Sequence, residues 1–187
     1  MSRTAAWGVA LALTARAGLA APTSPRPAQR VAGTPADSLV SFRLPDQFGT
    51  VHDAGEYRGR AFYLIGTARA GQASATQWAR TLRAVAPAPA GRAPDDVVAI
   101  ADLSAVPRLL RGVVRGHFSK NPERPVLLDW DGAVARRLAF DPGRCTVEMV
   151  DAGGRAVLRT STLTTDTTAI AEFARRADAA VRAAPAP

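Results

Sequence analysis

A continuous apolar run at residues 61–66 constrains the fold of this chain more than any other feature. A strand that faces water on one side alternates apolar and polar residues, whereas an unbroken apolar run is typical of a strand covered on both faces. Small residues and a helical pattern follow the run directly, and a second apolar run lies at 97–101. This pattern predicts an α/β fold whose central strand is covered on both of its faces.

Other predicted strands and helices alternate along the chain. We expect strands at 39–44 and 126–128, helical segments at 74–85, 104–118 and 132–138, a loop at 87–94, and a hairpin at 146–150 and 156–160. A last helix carries Ile170 and Phe173 on its apolar face. Ser74 is the candidate cap of the first helix, and Thr165 or Asp166 of the last. The order predicts an α/β sandwich with parallel crossovers first and an antiparallel hairpin last.

The N-terminal residues differ in composition from the rest of the chain. A positive start precedes an apolar run at 5–14 and small residues at 18–20, which is the pattern of a signal peptide over 1–20. The alternative is a disordered alanine-rich tail. Residues 21–37 are rich in Pro and Ala and predict a flexible linker, so the folded domain spans 38–183. We expect a periplasmic or secreted protein without a transmembrane segment, because no later run approaches ~18 apolar residues.

The charge of the chain is strongly positive but scattered. The net charge is +8, and Lys120 is the only lysine among 24 basic residues. Nucleic-acid surfaces cluster their charge and interleave aromatic residues, which form only 6% of this chain. We therefore expect no nucleic-acid partner, while an acidic ligand or partner stays open.

The residues that could bind a metal or transfer protons are few. His52 and His117 are the two histidines, and we expect neither to have ligands at metal-binding spacing. Asp129 and Asp131 could suggest acid–base chemistry, but acids in such a turn more often cap it. The sequence predicts no metal site and no cofactor.

Four short motifs occur in order along the domain. They are F-R-L-P-D-Q-F-G at 42–49, E-Y-R-G-R at 56–60, V-L-L-D-W-D-G-A-V-A at 126–135 and V-D-A-G-G-R-A-V at 150–157. Together they resemble the thioredoxin-like superfamily, and especially its redoxin branch of alkyl hydroperoxide reductase and thiol-specific antioxidant type. The resemblance implies a three-layer α/β sandwich, with a central mixed β-sheet and an antiparallel C-terminal hairpin flanked by helices.

The resemblance also implies where the active site would lie. In this family the reactive cysteine sits in the loop between the buried strand and its helix. Both the dithiol motif and the peroxidase motif place a cysteine on Ala70, and the dithiol motif places its second on Ala73. Alanine forms no thiolate. The former active-site loop, with Thr67, Arg69, Ala70, Ala73 and Ser74, is therefore predicted to have lost dithiol chemistry.

Cys145 is the single cysteine of the chain. The resemblance places it at or beside the family's cis-proline position, near the start of the first helix, and we expect a trans peptide there because proline is absent. The helix dipole and Arg69 or Arg144 could stabilise a thiolate or another anion at this place. The alternative is that Cys145 is a small apolar residue that only packs at a strand edge.

Two functions therefore stay open. The first is an exported binding or scaffold module that uses the former active-site groove for a protein, a peptide or an acidic ligand. The second is a thiol oxidoreductase or peroxidase that works through Cys145. Whether the chain is an enzyme, and what its oligomeric state is, are both left undecided by the sequence.

Overall fold

The structure, a computed structural model, describes residues 39–85 and 97–184. The predicted signal peptide at 1–20, the linker at 21–37 and the loop at 87–94 lie outside these residues. The strands are β1 (Arg43–Pro45), β2 (Val51–Asp53), β3 (Phe62–Thr67), β4 (Val97–Asp102), β5 (Val126–Asp129), β6 (Cys145–Val150) and β7 (Ala156–Thr162). The helices are α1 (Gln72–Val85), α2 (Arg111–Gly116), α3 (Ala133–Arg137) and α4 (Thr167–Ala183).

Five strands form a mixed sheet in the order β5-β4-β3-β6-β7. Strands β3, β4 and β5 are parallel, β6 is antiparallel to β3, and β7 returns antiparallel to β6. The short strands β1 and β2 form a separate antiparallel pair. The predicted α/β class, with parallel crossovers first and an antiparallel hairpin last, is confirmed.

Strand β3 is at the centre of the sheet, which explains its unbroken apolar sequence. Successive side chains of a strand point to opposite faces. Tyr63 and Ile65 pack in a cluster that includes residues of α1 and α4, whereas Phe62 and Leu64 pack in the cluster on the other face. Each large apolar side chain buried in this way stabilises the fold by roughly 1.5–3 kcal/mol. Both faces of β3 are therefore covered, as the apolar run predicts.

Some element boundaries differ from the sequence predictions. Of the strand expected at 39–44, only Arg43–Pro45 forms, while Leu39 makes an isolated bridge to Arg155. The helical turns expected from residue 104 begin at Arg108, because Pro107 disfavours helical geometry in the residue before it. At the last helix, Asp166 is the N-cap, and its carboxylate accepts the Thr168 N–H at 2.9 Å.

Candidate functional site

The carboxyl ends of the three parallel strands meet at one edge of the sheet, which we call the carboxyl edge. Thr67 ends β3 there, opposite Ala101 of β4, and Asp102 pairs with Asp129 at the end of β5. Because β6 runs the other way, its first residue, Cys145, pairs with Thr67 at the same edge. Open α/β sheets bind ligands outside this kind of edge. The carboxyl edge is therefore the candidate site.

The connection from β3 to α1 lies at the centre of the carboxyl edge. After β3 the chain makes a single 3₁₀ turn, Arg69–Gly71, and continues directly into α1. Arg69 and Ala70 are exposed, and Thr67 is half-buried with its hydroxyl donating to the Ala68 carbonyl at 2.8 Å. The first N–H groups of a helix lack intrahelical acceptors and carry partial positive charge. The Gly71 and Gln72 N–H groups already bond to the Ala68 and Arg69 carbonyls, so the turn offers a ligand the first N–H groups of the 3₁₀ turn and the Arg69 side chain.

Helix α1 begins earlier than the sequence predicts. Its first residue is Gln72, so Ala73 and Ser74 lie inside the helix and not in the loop. The Gln72 N–H already bonds to the Arg69 carbonyl, so the 3₁₀ turn runs into the helix without a break. The prediction that Ser74 caps this helix is therefore wrong, and Ser74 is buried. Ala73 is exposed and lies three residues after Ala70, so the two alanines are neighbours on one side of the turn.

Gly71 allows the turn to pack directly against the start of β6. A Cβ atom added at Gly71 would lie 2.6 Å from the Arg144 carbonyl carbon and from the Cys145 nitrogen, and 2.5 Å from Thr67 Oγ1. Real Cβ atoms essentially never approach so closely, and backbone atoms cannot move aside as a flexible side chain can. Gly71 is not among the site residues predicted from the sequence. Its signal was a glycine immediately before the helix, in a loop of small residues.

Cys145 lies in the core at the carboxyl edge. Its side chain is 0% exposed and belongs to the cluster that includes Tyr63, Ile65 and Trp78. Burial raises the pKa of the Cys145 thiol to about 12, so the thiol is protonated at neutral pH. The thiolate is the nucleophilic form of cysteine. This environment favours the packing interpretation of Cys145. The described peptide bonds are all trans, including the bond before Cys145.

The two predicted anion stabilisers lie near the same turn. Arg69 is exposed within the turn itself. Arg144 directly precedes β6, and its Nε lies 3.7 Å from Asp141 Oδ2, with both side chains accessible to solvent. That partner offsets part of the Arg144 charge, so Arg69 is the stronger candidate for contact with an anion. A role for either arginine towards a thiolate or a bound anion stays a prediction.

The remaining candidate residues have structural contacts. Asp129 is 1% exposed, and its carboxylate accepts the N–H groups of Ala133 at 3.1 Å and Ala135 at 2.8 Å. The interpretation of Asp129 as a helix-capping acid is confirmed. Asp131 is exposed, and its carbonyl oxygen accepts a hydrogen bond from Arg136.

His52 lies between two carboxylates that the sequence analysis missed. Its Nε2 is 3.1 Å from Asp46 Oδ2, and its Nδ1 is 3.6 Å from Glu56 Oε2. His117 is exposed, with Nδ1 2.8 Å from the Val113 carbonyl oxygen. Across residues 39–85 and 97–184, no group of three or more His, Cys, Asp or Glu is arranged to hold a metal ion.

Several solved structures are similar to this one. The pneumococcal exposed lipoprotein thioredoxin Etrx1 of Streptococcus pneumoniae strain TIGR4 has a TM-score of 0.56 and 17% identity, over 73% of this chain and 98% of that one. A candidate thioredoxin from Neisseria meningitidis has a TM-score of 0.53 and 18% identity, over 81% and 95%. BsSco, a member of the Sco family of cytochrome c oxidase assembly proteins, has a TM-score of 0.50 and 13% identity, over 80% and 98%.

These similarities establish the fold. The chain has the thioredoxin-like fold, which confirms at the level of architecture the resemblance seen in its four motifs. No protein-family model matches the chain, and no curated protein matches it. Within the part of the chain that the structure describes, no helix has the length and apolar character needed to cross a membrane.

Proposed function

We propose that this protein is an exported binding or scaffold module, which uses the turn at Arg69–Gly71 and the start of α1 to hold a partner without dithiol exchange. One observation carries the proposal. The exposed turn keeps the geometry of a strand-to-helix junction, but it presents Ala70 and Ala73 where the resemblance places reactive cysteines. A fold that keeps its site architecture without the nucleophile retains the capacity to bind but not to exchange electrons.

The chemistry of the turn supports a partner with anionic or carbonyl groups. The partial positive charge at the start of the 3₁₀ turn and α1 favours an anion, and Arg69 adds a full positive charge in solvent. A net charge of +8 attracts acidic partners over longer distances. The partner that fits these features is an extended peptide or protein segment that carries an acidic residue.

Export is the second part of the proposal. It is supported by the apolar run at 5–14 and the small residues at 18–20. One similar structure is described as an exposed lipoprotein, which is a statement about that protein alone. N-terminal sequencing of the protein recovered from a bacterial periplasm is expected to begin at Ala21.

A peptide-binding measurement tests the proposed site. Random short peptides displayed on phage are selected on the full chain, and the selected peptide is then labelled and measured by fluorescence anisotropy. Ala70→Glu and Ala73→Glu are expected to weaken binding about tenfold, because each puts a like charge where an acidic ligand would sit. Ala179→Glu, at an exposed position of α4, is the matched control and is expected to bind as the wild type does. Equal affinity in all four proteins would overturn the proposed site.

The thiol alternative is tested separately. The rates of peroxide consumption and of disulfide reduction are compared for the wild type and Cys145→Ser. The proposal expects both proteins to stay at background, because the Cys145 thiol is buried and its pKa is about 12. A wild-type rate well above background that Cys145→Ser abolishes would establish the oxidoreductase in place of the binding module.

A further inference from the structure

A cluster of large apolar side chains is exposed on the segment that follows β4. Leu109 is 96% exposed, Val113 60% and Leu110 50%. They lie on the 3₁₀ turn Arg108–Leu110 and on α2, which continues directly from it. We call Arg108, Leu109, Leu110, Val113 and Arg115 the α2 surface. Scattered single exposed apolar residues are ordinary, but three large apolar side chains exposed on one short helical segment require an explanation.

The opposite side of the same segment is anchored to the domain. Val114 and Phe118 pack against the cluster formed by Ala101, Leu128 and Trp130. The Arg111 guanidinium lies 5.2 Å from the centre of the Trp130 ring, and its Nη2 donates to the Trp130 carbonyl oxygen at 3.1 Å. The segment therefore has a fixed inner side, which turns Leu109 and Val113 outward. A leucine that is almost fully exposed is on a projection and does not line a groove.

The segment that carries the projection is basic, although Asp102 and Glu123 border it in the chain and Asp131 follows Trp130. Between residues 103 and 122 the chain carries four basic residues, Arg108, Arg111, Arg115 and Lys120, and no acidic residue. Arg108 and Arg115 are exposed and lie in the chain at the two ends of the apolar stretch. Apolar side chains flanked by arginines are the composition with which interfacial helices bind anionic membranes.

We infer that the α2 surface docks on an anionic lipid bilayer, with Leu109, Leu110 and Val113 inserted among the lipid headgroups and acyl chains, and with Arg108 and Arg115 paired with lipid phosphates. The composition favours a bilayer, because Leu109, Leu110 and Val113 project from the surface, where they can enter the acyl boundary, and exposed arginines at both ends of the stretch can reach the phosphate level. The segment itself adds no carboxylate between residues 103 and 122 that would repel an anionic surface. This surface is distinct from the turn at Arg69–Gly71, so the inference stands apart from the proposed function.

Vesicle co-sedimentation tests the inference on the full chain. The protein is mixed with vesicles of phosphatidylglycerol and phosphatidylcholine, and separately with vesicles of phosphatidylcholine alone. We expect binding to the anionic vesicles, weakened by high salt, and little binding to the neutral ones. Leu109→Ser is expected to raise the half-saturating lipid concentration about tenfold, through lost apolar burial. The double variant Arg108→Gln/Arg115→Gln is expected to raise it about tenfold or more.

Matched controls separate docking by this surface from general attraction to a basic protein. Leu163→Ser removes a leucine that is 55% exposed elsewhere, and Arg175→Gln/Arg182→Gln removes two exposed charges from α4. Both controls are expected to bind as the wild type does. If the α4 double variant loses as much binding as Arg108→Gln/Arg115→Gln, the attraction is non-specific and the inference fails. Absence of binding to anionic vesicles, or an oligomer that Leu109→Ser dissociates without any vesicle binding, would also overturn it.

Discussion

At the scale of single residues, Gly71 and Cys145 determine the shape of the candidate site together. The backbone of Cys145 lies where a side chain at position 71 would have to go, so the turn can approach β6 only because residue 71 is glycine. The thiol of Cys145 points into the core, where burial keeps it protonated. The contact therefore brings the chain's one cysteine close to the turn, while burial keeps its thiol away from solvent.

Gly71→Ala is expected to destabilise the protein by roughly 1–3 kcal/mol, the usual cost of forcing extra volume into a packed region. The new Cβ would meet backbone atoms of Arg144 and Cys145, so the turn has to move away from β6. The free energy of unfolding in urea measures this effect.

Gly112→Ala is the control, because a Cβ there meets nothing within 4 Å. In an exposed helix that change is expected to stabilise by about 0.5–1 kcal/mol. A Gly71→Ala protein as stable as the wild type would show that the close contact does not exist.

Whether Cys145 is buried could not be decided from the sequence. Its position in the chain fixes which strand it begins, but its exposure depends on Thr67 and Thr162 pairing on both sides of it and on α1 covering it. Those contacts join residues far apart in sequence. A lone cysteine at the start of a strand is therefore compatible with either a reactive or a packing role until the sheet order is known.

At the scale of elements, the four motifs proved to specify turns. In each motif an acidic side chain accepts at least one nearby backbone N–H, and a glycine with positive φ follows within three residues. The acids are Asp46, Glu56, Asp129 and Asp151, and the glycines are Gly49, Gly59, Gly132 and Gly154. Acids that bond to a local backbone and glycines that tolerate positive φ are what tight turns require. The motifs predicted the fold because they set its turns, and for the same reason they carried no information about chemistry.

The sequence predicted the helical turns around α2 but not which side of α2 is exposed. Helical turns were expected at 104–118, but the pattern there does not say which side the domain covers. In the structure Arg111 packs on the Trp130 ring, so this side of α2 faces the domain. Leu109 lies on the exposed side. An arginine facing inward and a leucine facing outward invert the usual assignment, so hydrophobic periodicity could not have found this surface.

The junction of the Arg69–Gly71 turn with α1 permits a test by gain of function. Ala70→Cys/Ala73→Cys is expected to form a dithiol at a helix start, with the pKa of the first new thiol lowered by the helix dipole. Such a protein should catalyse insulin reduction by dithiothreitol at a rate well above that of the wild type. Glu172→Cys/Arg175→Cys has the same spacing at two exposed positions inside α4 and is the matched control. If both double variants reduce insulin at the same rate, the turn is not a redox-competent junction.

At the scale of the whole molecule, two buried carboxyl groups act on stability in opposite ways. Burial alone would raise the pKa of Asp46, but hydrogen bonds from His52 and from the Phe48 and Thr50 N–H groups outweigh it and hold that pKa below its ordinary value. For Glu148, burial raises the pKa and the Arg159 charge only partly opposes it. Asp46 therefore stabilises the fold above its unfolded-state pKa and loses that contribution in acid. Glu148 contributes most below its unfolded-state pKa and loses that contribution as pH rises through its folded-state value.

Glu148 is a residue whose strand could be predicted from the sequence but whose burial could not. The sequence predicts a strand at 146–150, and an alternating pattern would let Glu148 face water. In the structure every residue of β6 is buried, and Glu148 faces Arg159 across the β6–β7 pair, with Oε1 3.1 Å from Arg159 Nη1. The hairpin could be predicted from Asp151 and the glycines after it. The burial could not, since it depends on β3, β7 and the helices closing over β6 together.

Glu148→Gln is expected to change how the stability of the whole domain depends on pH. The amide keeps the size of the side chain and can still accept a hydrogen bond from Arg159, but it does not titrate. The folded-state pKa of Glu148 is raised, so the wild type should lose stability relative to Glu148→Gln as pH rises from the ordinary glutamate range through that raised value. The difference in the free energy of unfolding between the wild type and Glu148→Gln changes by at most about 1.4 kcal/mol per pH unit in that window. Outside the window this difference is constant. Urea unfolding at a series of pH values measures it, with Glu172→Gln, an exposed position on α4, expected to follow the wild-type profile. A difference between Glu148→Gln and the wild type that is the same at every pH would mean that Glu148 titrates alike in the folded and unfolded chains, and that the β6–β7 pair does not bury it.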